Sequence, residues 1–477
     1  MRKTVNNIIY NGVYQLLILA LPIITMPYVS RVLGRQALGK YSFVSSIAML
    51  LSYVILMGMN QLGARVIART PKDDDKLSKN FFELWQIQLL VGCLVIAGYT
   101  IFSLYSSYRR YLLLNIPYLI AFALDISWFF IGLGEIRKVV IRNTLIKVSS
   151  IALIFIFVKS PADLGYYILI NSLSILVANI IFWTNLKSII QWKFISSLWN
   201  KSQFWYESII LIVPQLAVQF YTNFDSTLVG MIAGPTQLTY YDQSQRIVRM
   251  MVALVTSVST VLMPKMSELK LDNKNHKIVN RIFKVSLDYT LIIALMMTAV
   301  LMIDSAEFVP WFYGKSYSPM IDNMLWVSLI MIFISYGGVF GSQFTLVNGD
   351  YKKYAIPSVI AAVFSVSANV ILVHFWQADG GTLVVILTEL LVCFMRIFVV
   401  RKEVNLKEIF HEQPKYLLAF VMTTVLGLKF KLTLSSAFLT LVINSILAIV
   451  VYVVLLIILK TRILADIKNR NFLSDDE

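Results

Sequence analysis

Seven stretches of this chain run for 23 residues or more without an Asp, Glu, Lys or Arg: 4 to 30, 41 to 64, 84 to 108, 164 to 186, 323 to 349, 354 to 378 and 432 to 459. A helix needs about 20 apolar residues to cross the hydrocarbon core of a bilayer, so each stretch is long enough to span one. Seven further apolar segments are short or carry one or two ionisable residues: 111 to 134, 143 to 158, 208 to 234, 245 to 263, 282 to 303, 382 to 400 and 416 to 431. The expected fold is therefore an all-α polytopic membrane protein of about 14 transmembrane helices joined by short connections. With 58% hydrophobic and 14% charged residues, against roughly 25% charged in soluble domains, a water-soluble fold is excluded.

The basic residues give an orientation. With the N-terminus inside, 28 of the 37 Lys and Arg that can be placed fall on cytoplasmic segments, which puts both termini in the cytoplasm. The remaining five, Lys147, Arg246, Arg249, Lys284 and Arg396, lie within helix windows. The net charge of +16 is then largely a topology signal and an attraction to anionic headgroups. Nucleic-acid binding is a poor reading, because the basic residues are scattered over short segments with no folded module behind them. Met1, Arg2 and Lys3 precede a long apolar run with no small-residue cleavage site, which fits a retained first helix. Cys93 and Cys393 fall inside spans without metal-ligand spacing and read as packing residues.

A short internal similarity suggests two halves. Gly34, Leu38 and Tyr41 have the same spacing as Gly234, Leu238 and Tyr241, and each set follows a helix containing a proline, Pro22 or Pro214. If this is a repeat, residues 1–190 form an N-lobe of helices 1 to 6 and 204–402 a C-lobe of helices 7 to 12. The segment 191–203, with Trp192 and Trp199, is a cytoplasmic linker of interfacial character. Residues 416–460 hold helices 13 and 14, and 461–477 form a cytoplasmic tail. Trp311, Phe312 and Tyr313 read as an interfacial aromatic anchor.

Ionisable residues inside spans cost at least about 2.5 kcal/mol each, so they are the functional candidates. Asp125 lies near the middle of helix 4, Lys147 in helix 5, Asp225 in helix 7 and Arg31 at the outer end of helix 1. Arg246 and Arg249 share a face of helix 8; Asp242 is the nearest acid, so they read either as a structural pair or as an anion site. Glu389 and Arg396 share a face of helix 12 and either clamp helices together or line a cavity. Lys284 and Asp288, four apart, suggest a local ion pair. Arg31 equally fits an interfacial anchor, and Arg65 and Arg69 read as topology markers. No phosphate-binding loop, metalloprotease motif or nucleophile elbow is present in the sequence, so neither enzymatic chemistry nor a cofactor is expected.

Several segments resemble the bacterial polysaccharide flippases, exporters of O-antigen, capsule and exopolysaccharide repeat units within the multidrug/oligosaccharidyl-lipid/polysaccharide (MOP) superfamily. They are Pro27-Tyr28-Val29-Ser30-Arg31-Val32-Leu33-Gly34 with Leu38-Gly39-Lys40-Tyr41; Asp125 to Glu135 running on to Arg142-Asn143; Tyr221-Thr222-Asn223-Phe224-Asp225; and Tyr240-Tyr241-Asp242-Gln243. The resemblance implies two six-helix lobes in a V around a cavity that opens alternately to each side, in the bacterial inner (cytoplasmic) membrane. It implies as cargo an undecaprenyl-pyrophosphate-linked oligosaccharide, with helices 13 and 14 forming a groove for the polyprenyl tail. Arg31, Lys147, Arg246 and Arg249 would bind the diphosphate, with Asp125, Asp225, Glu389 and Arg396 as charge partners. Membrane lipids, and a polysaccharide polymerase with other glycan-assembly proteins, are the partners this reading leaves room for. The alternative is a cation-coupled multidrug or metabolite exporter of the same superfamily, which would have acidic rather than basic residues dominating its cavity. A membrane enzyme of glycan assembly would need an external carboxylate or histidine site. The topology makes a direct forecast: single cysteines at positions 274 and 315 should label from opposite faces of the membrane, and labelling from the same face would contradict the fourteen-helix arrangement.

Overall fold

A computed structural model describes residues 2–71, 73–186, 189–193, 204–270 and 276–461, and among these residues the chain is helical with no strand. Nine helical stretches are long and apolar enough to cross a bilayer among the described residues. Two of them, Leu21–Arg69 with 49 residues and Tyr351–Val400 with 50, would measure about 75 Å if straight, over twice the roughly 30 Å hydrocarbon core. Neither is straight: the first breaks at Gly34 (φ 72, ψ 171) and the second at Gln377 (φ 51, ψ −125). Each therefore supplies two crossings. Trp199, Lys274 and the acidic tail Leu473 to Glu477 fall outside the described residues.

The chain divides into two compact units, Met1–Thr239 and Tyr240–Glu477. The first contains α1 (Arg2–Leu56), α2 (Met59–Arg69), α3 (Asp74–Tyr105), α4 (Arg109–Leu114), α5 (Ile116–Ala123), α6 (Ser127–Gly132), α7 (Ile136–Phe157), α8 (Leu164–Leu186) and α9 (Trp205–Thr222). The division falls within α10 (Phe224–Lys270), so the segment read as helix 7 belongs with the first unit. It is held there along its length. Arg65, read as a topology marker, forms an ion pair with Glu207, and Ser46 Oγ and Thr227 Oγ1 are 2.8 Å apart.

The two glycine corners match closely. Gly234 breaks α10 at φ 83, ψ 174, almost the backbone of Gly34. The corners also meet reciprocally within the first unit. A Cβ on Gly39, five residues past one glycine, would lie 1.8 Å from the carbonyl oxygen of Pro235, one residue past the other. Thr239, five past Gly234, donates to the carbonyl of Arg35 at 2.5 Å.

The core of the first unit is aromatic: Phe81, Phe82, Trp85, Trp128, Phe129, Phe130 and Phe182 are all buried. Trp192 touches it while remaining exposed, with its ring 5.9 Å from Phe82 and 6.5 Å from Trp183.

The second unit holds α11 (His276–Phe312), α12 (Ile321–Val327), α13 (Ile330–Val339), a wide π turn (Phe340–Leu346), α14 (Tyr351–Val400), α15 (Leu406–Phe410), α16 (Gln413–Lys429) and α17 (Ala437–Ile458). The terminal pair α16 and α17 shares a core with α11, in which Leu287, Leu291, Leu295, Tyr416, Ala419, Tyr452 and Leu456 are buried. Polar contacts reinforce it: Ser445 donates to Asp304 at 2.6 Å, and Lys431 pairs with Glu307. Lys284 reaches Glu408 on α15 at 3.0 Å rather than making the local pair with Asp288 that the spacing suggests. Cys393 is buried as expected, whereas Cys93 is exposed. Because only glycine adopts the corner conformation without cost, Gly34→Ala and Gly234→Ala should each destabilise by about 1–2 kcal/mol. Gly98→Ala, which meets nothing within 4 Å, should be neutral or stabilising; thermal unfolding in detergent distinguishes the two behaviours.

Candidate functional site

In the second unit the charged residues of α10 and α14 are drawn together. Arg246 Nε donates to Asp242 Oδ2 at 2.9 Å, one helical turn away. Arg249 Nη2 donates to Gln245 Oε1 at 3.2 Å and lies 3.7 Å from Glu389 Oε1 on α14. Glu389 is 5% exposed and interacts electrostatically with both Arg249 and Arg396. Arg396 stands two turns along the same helix, its guanidinium 5.4 Å from the Tyr354 ring, a cation–π arrangement. The π turn makes room for it: a Cβ on Gly341 would sit 3.2 Å from the Arg396 Cζ. Such wide turns often accompany functional sites.

The start of this run is pinned by Tyr313, which is fully buried and donates to the Gln243 carbonyl at 3.0 Å. This corrects the expected aromatic anchor, because Phe312 and Tyr313 are buried and of the three only Trp311 is exposed. Within this cluster three guanidinium groups face two carboxylates, Asp242 and Glu389. A basic surplus inside membrane-embedded helices suits an anion, and arginine can meet a phosphate with two parallel hydrogen bonds.

The candidates in the first unit are placed differently. Helix 4 is not continuous: it stops at Ala123 and resumes at Ser127 as α6. Asp125 sits in the break, where its Oδ1 accepts from the Ser127 N–H at 2.8 Å. Asp125 therefore lies in a break rather than at mid-helix, and its carboxylate accepts from the first N–H of the helix that follows, two residues on. Asp225 is 1% exposed in the first turn of α10. Arg31 is exposed, with Nη1 3.4 Å from the Pro27 carbonyl, and Lys147 is exposed on α7. On α7 it is Arg142 that turns inward, donating to the Ala178 carbonyl at 2.9 Å and lying 3.5 Å from the centre of the Phe182 ring.

The break in helix 4 strands carbonyls that hydrocarbon cannot satisfy, and neutral side chains missed by a search for charges catch them. Asn179 donates to Ala121, Gln88 to Phe122 and Asp125, Trp85 to Ala123, Trp183 to Leu124 and Trp128 to Asp125, all between 2.6 and 3.2 Å. The available signal was the presence of amides such as Gln88 and Asn179 within charge-free spans, since buried amides bind across helices.

This fold of two helical units occurs in solved transporters. Lipid II flippase MurJ in an inward closed conformation superposes with a TM-score of 0.74 at 14% identity, covering 98% of this chain and 100% of that one. A multidrug resistance MATE transporter of the MOP superfamily in its inward-facing conformation gives 0.62 at 12% identity, covering 80% of this chain and 94% of its own. At these identities the likeness concerns the fold. The protein is a multi-pass membrane transporter with the MOP fold. The family model for polysaccharide biosynthesis proteins matches residues 4–270, and the chain belongs to that family. A protein assigned as an O-antigen transporter in Escherichia coli (strain K12) is 22% identical over 403 residues, covering 83% of this chain and 96% of the relative. A counterpart in Shigella dysenteriae is 21% identical over 379 residues, covering 78% and 93%. The capping network carries its own test. Gln88→Leu removes the donor of two buried carbonyls and should cost at least about 2 kcal/mol of stability, whereas Asp125→Asn keeps an acceptor for Ser127 and should cost under about 1 kcal/mol. Equal unfolding midpoints for the Leu variant and the parent would refute the network's role.

Proposed function

We propose that the protein is a flippase that moves an undecaprenyl-pyrophosphate-linked oligosaccharide repeat unit from the cytoplasmic to the outer leaflet by alternating access. It works in the bacterial inner membrane with both termini cytoplasmic. The observation that carries this reading is the guanidinium surplus on α10 and α14, where Arg246, Arg249 and Arg396 stand against Asp242 and Glu389. A diphosphate is the part of such a cargo that most resists hydrocarbon, and preorganised guanidinium groups replace its hydration. Family membership and the O-antigen transporter relatives support the same class of cargo. Arg31 and Lys147 are the further cations assigned to the path, and Asp225 a partner carboxylate in the first unit. Glu389 offsets the cost of burying the Arg249 and Arg396 charges while no anion is bound, because an uncompensated buried charge is costly. A cation exporter would require the opposite balance of charge in this cluster.

The test is genetic and biochemical together. Arg246→Ala and Arg249→Ala should each reduce surface glycan at least tenfold, as expected for losing a charge-assisted hydrogen bond of roughly 1.5–3 kcal/mol, with the membrane-inserted protein undiminished. Lysine at either position keeps the charge without the paired geometry and should rescue in part. Normal export by both alanine variants would rule out the anion site.

A further inference from the structure

The limb of α1 that follows Gly34 is enclosed in an unusual way: from Leu38 to Met59 every residue is buried or half-buried and none is exposed. Its half-buried residues fall on two faces. Ile47, Leu50 and Leu51 border an apolar cavity of about 440 Å³ shared with side chains of α3 and α10. Tyr41, Ser45, Met49 and Tyr53, spaced four apart, lie about half a helical turn away on the opposite face.

This second face is the rim of a tyrosine-rich row. The Tyr41 ring meets Tyr167 of α8 edge-on at 4.6 Å. Tyr118 of α5 lies beside Ser52, Tyr41 and Tyr53. Tyr53 lies beside Gln219 of α9. Four phenols from three helices thus form one connected row, about 18 Å long between Tyr41 and Tyr53 at 1.5 Å per residue.

We propose that this row, Tyr41, Tyr53, Tyr118 and Tyr167 with Ser52 and Gln219, is the wall along which the sugar part of the cargo is bound, and that its ligand is a neutral, hydroxyl-rich oligosaccharide. The proposal rests on reading the protein as a flippase for lipid-linked glycans and adds to it the seat of the glycan. Half-buried phenols within spanning helices belong beside a water-filled space, because hydrocarbon gives their polar atoms no partner. A pyranose offers an apolar C–H face and a rim of hydroxyls, and tyrosine offers the matching pair of a flat ring and a polar tip on a stiff side chain. The row carries no formal charge, so it has no claim on the diphosphate. It separates recognition of the sugar from recognition of the anion.

Binding to the purified full-length chain in lipid nanodiscs tests this with two probes, undecaprenyl diphosphate and the same lipid carrying a neutral hexose–N-acetylhexosamine disaccharide. The parent protein should bind the glycosylated probe about tenfold more tightly than the bare one. The double variant Tyr53→Phe, Tyr118→Phe keeps both rings and removes two hydroxyls; it should lose most of that preference while binding the bare lipid as the parent does, with an unchanged unfolding midpoint. Arg249→Ala should weaken both probes alike. A double variant that keeps the full preference, or a parent that binds the two probes equally, overturns the glycan wall and leaves the flippase reading standing. A parent that binds neither probe overturns both.

Discussion

A polypeptide in hydrocarbon must satisfy its own backbone, and the break between α5 and α6 is where that demand bears hardest on this chain. Helix 4 gives up its regular hydrogen bonds around Leu124 to Ile126, and donors from two other helices and from Trp128 take the freed carbonyls. Trp85 and Gln88 come from α3, Asn179 and Trp183 from α8. The aromatic core of the first unit is assembled around these donors. Trp85 and Trp128 both donate and pack, which ties the position of the break to the packing of the bundle. Asp125 completes the arrangement by accepting from the Ser127 N–H, so a residue that looks like an intramembrane charge in the sequence also serves the backbone.

The second unit meets the related problem of charge. Three guanidinium groups can remain ionised in spanning helices because Asp242 and Glu389 are held among them and because Gly341, in the π turn, leaves room for the third. Guanidinium groups at a site of low dielectric suit an anionic ligand better than a cationic one.

The sequence was most legible where length and charge decide the outcome. The charge-free stretches gave the spans, and the spacing of Gly34 with Gly234 found two corners whose backbones agree to within a few degrees in ψ. The pairing of Arg246 with Asp242 was also readable, because four residues on a helix make neighbours. What could not be read depends on contacts distant in sequence. Lys284 pairs with Glu408, 124 residues away, and no local spacing announces that. The placement of the helix 7 segment with the first unit depends on Glu207 meeting Arg65 and Thr227 meeting Ser46. The tyrosine row lay hidden for a different reason: tyrosine counts as apolar in a hydropathy profile, and only the packing of α1 against α8 brings Tyr41 onto Tyr167.

The central claim is that a lipid-linked oligosaccharide crosses the bilayer through this chain. The most direct measurement is made in proteoliposomes loaded symmetrically with undecaprenyl-diphosphate-linked oligosaccharide. After the outward-facing sugars have been removed enzymatically, the rate at which inner-leaflet sugars become accessible to the same enzyme is followed. The account predicts a rate well above that of protein-free vesicles, which falls towards the protein-free value when Arg246 and Arg249 are both replaced by alanine. A rate equal to that of protein-free vesicles, together with transport of organic cations by the same preparation, would contradict it.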